Sequence, residues 1–126
     1  MKILVVDDSK AMRALIRRTL RDSHYEAAQI GEAENGRQAL DSIRASPPDL
    51  VLANFNMPEM TGLELLERVH EDGLDIDFGF ITSDESEQNV ERARRAGARF
   101  VIGKPFTRQA LYRAVTEATR AKKDCP

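Results

Sequence analysis

The chain has 126 residues, one cysteine, 41% hydrophobic and 32% charged residues, and a formal net charge of −2. That length fits one domain whose core needs neither disulfides nor structural metal. No apolar run approaches the roughly 18 residues that span a bilayer, and the first one stops at two acids, too short for a signal peptide. A cytosolic protein without membrane contact is expected. The charge is unevenly spread: residues 1–82 hold 9 Lys and Arg against 15 Asp and Glu, and residues 83–126 hold 10 against 6. This asymmetry points to an acidic site early in the chain and a basic face late in it. It does not point to nucleic acid, whose binding domains are normally basic overall.

Short β-branched runs alternate with longer stretches of helical apolar spacing, the pattern of βα units around a parallel sheet. The first strand is read at 3–7, followed by a helix at about 9–22 with Met12, Leu15, Ile16, Thr19 and Leu20 at three- and four-residue spacing. A second strand at 28–33 leads to a helix at about 36–45, and a third at 49–53 to a helix at about 61–71 carrying Leu63, Leu65, Leu66 and Val69. A fourth strand at 78–82 precedes a mostly polar helix at about 85–96. A fifth at 99–103 precedes a helix at about 106–121.

Strands one, three and four are nearly unbroken apolar runs, as expected of central strands covered on both faces. Ser9 and Thr61 are competent caps for the first and third helices, and Pro47-Pro48 ends the second. Gly36, Gly73 and Gly97 flank helices, where tolerance of positive φ is useful. Neither linker nor repeat is evident, so a single domain is expected.

In an open parallel sheet, ligands bind beyond the carboxyl ends of the strands. Asp7-Asp8 ends the first strand, Asn54 the third, Thr82 the fourth, and Lys104-Pro105 follows the fifth. Two adjacent carboxylates repel unless a cation joins them, which favours a magnesium-like site of oxygen ligands over simple helix capping, since Ser9 already caps. A hydroxyl and an ammonium opposite such a cation suit three phosphoryl oxygens. His24 and His70 belong to no metal-ligand cluster and read as surface residues. Cys125 reads as inert.

With these residues in order, the chain resembles the receiver domain of two-component response regulators, most nearly the stand-alone chemotaxis type. The resemblance rests on 5-VVDDS-9, 49-DLVLANFNMPEMTGLELL-66, 81-ITS-83, 97-GA-98 and 104-KPF-106. It implies a flavodoxin-like α/β fold, a five-stranded parallel sheet of order 2-1-3-4-5 flanked by five helices, over residues 1–122 with a short tail at 123–126. It also implies that Asp7 and Asp8 hold magnesium with the backbone carbonyl of Asn56, that Thr82 and Lys104 contact the phosphoryl group, and that the Lys104-Pro105 bond is cis. The partners implied are a sensor histidine kinase or histidine phosphotransfer protein, and a target docking on helix 4, strand 5 and helix 5, where Arg92, Arg94, Arg95, Arg99, Arg108 and Arg113 cluster.

Two positions depart from the family pattern. The phosphoacceptor aspartate falls at position 54, here Asn54, whose neutral amide is a poor nucleophile. As written the chain should form no aspartyl phosphate. Three carboxylates about 4 Å apart would repel by roughly 4 kcal/mol per close pair at an effective dielectric near 20. The amide should therefore stabilise the metal-free fold and weaken magnesium, to which Asn54 still offers one carbonyl oxygen. The second departure is Val101, where the family often places a switching aromatic. Strand alternation sends the neighbouring Phe100 to the other face and into the core.

Two functions are left in play: a phosphorylatable receiver with its acceptor replaced, and a pseudo-receiver that binds partners without phosphate. An enzyme is not expected. A phosphatase of the haloacid-dehalogenase kind needs Asp-x-Asp where Asp7-Asp8-Ser9 stands, and a dinucleotide enzyme needs a glycine fingerprint after the first strand.

Overall fold

The computed structural model describes residues 1–22, 28–83 and 86–123. His24 and Cys125 lie outside these. Ten elements alternate: β1 Lys2–Val6, α1 Lys10–Arg21, β2 Gln29–Ala33, α2 Gly36–Ala45, β3 Leu50–Asn54, α3 Gly62–Glu71, β4 Asp77–Thr82, α4 Glu87–Ala96, β5 Phe100–Gly103 and α5 Arg108–Lys123. All strand pairings are parallel and the order is β2-β1-β3-β4-β5, the expected sheet.

Alternation along the central strands divides the core in two. Leu4, Val6, Val51, Ala53, Phe78 and Phe80 pack against α2, α3 and α4. Ile3, Val5, Leu50, Leu52 and Ile81 pack on the other face, against α1 and α5. Both faces of β1, β3 and β4 are covered, which is why these strands lack the apolar-polar alternation of a half-exposed sheet. Phe100 joins the α1 and α5 side and Val101 the opposite one, as alternation requires. The Phe100 ring lies over Gly79, where a Cβ would come within 2.1 Å of it.

Caps set the helix starts. Ser9 accepts from the Met12 amide, and Thr61 forms a reciprocal capping box with Glu64. Ser86 caps α4, so that helix starts at Glu87 rather than near 85. Gly73 and Gly97 have φ of 77° and 101°, as their places after helices require.

Gly36 departs from the expectation. Its φ is not positive; it is the first residue of α2, and a Cβ there would sit 2.8 Å from Met60. Close packing, not backbone conformation, selects glycine. Leu15 also departs, being 48% exposed. The inward stripe of α1 runs through Ile16, Thr19 and Leu20, and Leu15 falls outside it. No helix among the described residues is long and apolar enough to cross a membrane.

Candidate functional site

The carboxyl ends of β1, β3, β4 and β5 meet on one rim, and the positions of their last residues differ by one from the sequence reading at two strands. β1 stops at Val6, leaving Asp7 just beyond the strand, and β3 runs through Asn54. Asp7 is 1% exposed and fully engaged. Its amide donates to the Ala33 carbonyl at 3.1 Å, its Oδ1 accepts from the Ser9 amide at 2.9 Å, and its Oδ2 accepts from Lys104 Nζ at 3.2 Å. Asp8, in contrast, is exposed, and its Oδ1 lies 3.4 Å from Asn54 Nδ2.

The burial of Asp7 beside the Lys104 ammonium resolves the repulsion expected of the adjacent acids: the protein itself supplies one cation. Lys104 is placed by its backbone, whose amide donates to the Thr82 carbonyl at 2.7 Å, and the Lys104-Pro105 peptide is cis as expected. Thr82 itself is fully buried at the end of β4, paired in register with Gly103.

Asn54 is held from below. The next residue, Phe55, donates its amide to Ile81 and accepts from Gly62, and its ring meets Phe80 edge-on at 5.3 Å. A Cβ on Gly62 would lie 2.6 Å from the Asn54 carbonyl oxygen and 2.9 Å from the Phe80 ring. Asn56 is exposed, two residues past Asn54. Direct contacts thus join Asp7 to Lys104 and Asn54 to Asp8. Thr82 joins through the Lys104 backbone, and Asn56 remains at the rim.

The donor set fits a hard divalent cation held by few protein oxygens and completed by water. Asp8 offers an open carboxylate and Asn54 an amide beside it, which would turn its oxygen rather than its nitrogen toward an ion. Among the described residues, no group of three or more His, Cys, Asp or Glu could hold a metal ion.

Sequence reasoning missed Arg13, whose Nη1 donates to the Asp7 carbonyl at 2.6 Å and whose Nε pairs with Glu32 at 3.0 Å. A basic residue in the first turns of α1 was the available signal, because helical side chains lean toward the N-terminus and the strand end. Its partner Glu32 follows only from the register of β2 beside β1, which no motif carries.

A doubly wound parallel sheet of order 2-1-3-4-5 with acids and a lysine gathered at its carboxyl rim is the architecture of a two-component receiver. The chain belongs to that family: the model described as "Response regulator receiver domain" matches residues 3–116. Among curated proteins it is 41% identical over 114 residues to "Chemotaxis protein CheY1" of Helicobacter pylori, covering 88% of this chain and 90% of that protein. It is 34% identical over 113 residues to "Chemotaxis protein CheY" of Pseudomonas aeruginosa, with the same coverage. The solved structure of Vibrio cholerae chemotaxis protein CheY4 superposes with a TM-score of 0.83 at 28% identity, covering 93% of this chain and 97% of that one. The protein is a chemotaxis-regulator-like response regulator receiver. Receiver domains bind magnesium at an acidic pocket and signal through kinases and downstream protein targets.

Proposed function

We propose that this receiver is built for magnesium-dependent phosphoryl transfer to position 54, and that Asn54 holds the chain in an unphosphorylated, inactive-like state. The observation that supports it is the retention of the whole rim around the amide: Asp8 3.4 Å from Asn54, and Asp7 3.2 Å from Lys104. A module with no use for phosphate has no chemical need of these groups together. In this reading Asp7 and Asp8, with the Asn54 side-chain oxygen and the Asn56 carbonyl, hold magnesium, which when bound makes an incoming phosphorus electrophilic. Thr82 and Lys104 receive the phosphoryl oxygens. Asn54 is neutral and forms no stable acyl phosphate, so the chain performs no phosphoryl transfer of its own and binds magnesium more weakly than an aspartate form.

The partners in this reading are a sensor histidine kinase or histidine phosphotransfer protein at the rim, and a protein target on the face of α4, β5 and α5, in the cytoplasm. The basic residues there are partly neutralised: Arg95 pairs with Glu91 at 3.2 Å and Arg99 with Asp77 at 2.9 Å. Exposed Arg92 and Arg113 leave the face net positive and suited to an acidic partner.

The second reading, a phosphate-independent binding module, is favoured by one contact. The Asn54 amide already donates to Asp8, so the rim is partly satisfied without metal. Incubating the chain and its Asn54→Asp form with a small phosphodonor and magnesium separates the readings. Labelling of the aspartate form alone supports the first, and no labelling of either overturns it.

A further inference from the structure

We propose that Arg13, braced by Glu32, is a positioning residue that fixes the Asp7-Asp8 peptide and thereby aims the Asp8 carboxylate into the cation site. This rests on the reading of Asp7 and Asp8 as the magnesium acids. The Asp7 carbonyl and the Asp8 amide are rigidly coplanar, so holding that oxygen sets the direction in which Asp8 leaves the chain. Arg13 Nη1 holds it at 2.6 Å. On either side the chain is also tied, by the Asp7 amide to Ala33 and by the Ser9 amide to Asp7 Oδ1. Asp8 stands between these ties with an exposed carboxylate that, among the described residues, makes only the long 3.4 Å contact with Asn54.

Arg13 can do this because it is itself held. Its side chain is 12% exposed, and its Nε pairs with Glu32 Oε1 at 3.0 Å while Arg17 takes Glu32 Oε2 at 2.7 Å. Glu32 stands on the edge strand β2, one residue before the Ala33 that anchors Asp7. One carboxylate thus fixes one edge of the guanidinium while another edge reaches the carbonyl. A guanidinium can serve two acceptors in fixed directions; an ammonium is a point charge without that fork. The arrangement is an outer brace of the kind that orients ligands around metal sites.

The test titrates magnesium chloride into the full chain and its Asn54→Asp form by calorimetry, and follows the Asp8 amide of the metal-free protein by NMR. Arg13→Ala is expected to weaken magnesium about tenfold, the low end for loss of an outer partner, and Glu32→Gln, one step further out, by less. Both should shift the Asp8 amide. With Asp8→Asn present, Arg13→Ala should change affinity by less than about twofold, because a brace acting through Asp8 has then lost its object.

An equal loss in the Asp8→Asn background, or full restoration by Arg13→Lys, would make the effect general or purely electrostatic and overturn the proposal. So would unchanged affinity with an unmoved Asp8 amide. If neither form binds magnesium, the metal reading fails on its own, and the Asp8 amide decides the brace: a shift upholds it, no shift overturns it. Should Arg13→Ala fail to fold, Glu32→Gln carries the same comparison.

Discussion

Lys104 Nζ lies 3.2 Å from Asp7 Oδ2, joining residues 97 positions apart across the rim of the sheet. Asp7 is almost wholly buried, so removing the ammonium leaves a carboxylate whose remaining direct donor among the described residues is the Ser9 amide. Breaking a buried pair from one side costs several kcal/mol, and the partial exposure of Lys104 moderates this. Lys104→Met is expected to lower stability by about 3 kcal/mol in urea unfolding. Magnesium should restore part of the loss, because it substitutes for the missing cation; no recovery with magnesium would speak against a shared site.

Asn54→Asp introduces a third carboxylate beside the exposed Asp8. At 4 Å the repulsion is about 1 kcal/mol in water and about 4 kcal/mol at a dielectric near 20. Since Asp8 is exposed, the expected loss of metal-free stability is about 1 to 2 kcal/mol. Millimolar magnesium should reverse its sign, giving an aspartate form more stabilised by the ion than the parent. Paired thermal melts with chelator and with magnesium measure both effects.

Gly62→Ala sets two effects against each other. Alanine in place of glycine favours a helix by about 1 kcal/mol, less at a first turn, while the added Cβ meets the Asn54 carbonyl at 2.6 Å and must displace backbone. Overpacking of this sort costs about 1 to 3 kcal/mol, so a net loss near 2 kcal/mol is expected. The displaced atoms belong to Asn54, which the proposed function places beside the ion, so magnesium affinity should fall as well.

Glu59 has φ of 67°, the left-handed region, in the turn between β3 and α3. That conformation costs an L residue about 1 to 2 kcal/mol, while glycine loses about 0.4 to 1 kcal/mol through the unfolded state. Glu59→Gly should therefore raise stability by up to about 1 kcal/mol. A lower melting temperature would mean that the turn holds Glu59 by contacts that outweigh its backbone.

Glu32 carries a pH dependence. The Arg17 hydrogen bond is the largest influence and holds its carboxyl below the ordinary value of 4.5, against an opposing desolvation and aided by Arg13. A depressed folded value means the unfolded chain binds more protons in acid. The stabilisation is therefore present above 4.5 and is lost as pH falls through the folded value. Glu32→Gln should flatten the decline of stability below about pH 4.5. A decline as steep as the parent's would remove Glu32 from the acid response.

The strand ends were legible in sequence because strands buried on both faces are written as apolar runs, and the first polar residue after each run marks the rim. Asp7, Asn54 and Thr82 were found in that way, and Lys104 by the proline that follows it. Errors fell where apolar pattern carries no information. Leu15 satisfies helical spacing yet is exposed, because the width of the buried stripe is set by what packs on α1. Gly36 looked like a turn residue, and only the position of Met60 explains it.

Local chemistry alone determined the alternating elements, the caps at Ser9 and Thr61, and the gathering of Asp7, Asp8, Asn54 and Thr82 at the carboxyl ends of the strands. These depend on periodicity and on residue identity, which are local in the chain. The tertiary structure decided which charges neutralise one another: Asp7 with Lys104, and Arg13 with Glu32 and the Asp7 carbonyl. Those pairings follow from the order in which strands lie side by side and from burial that makes each charge need a partner, and both are properties of the packed sheet.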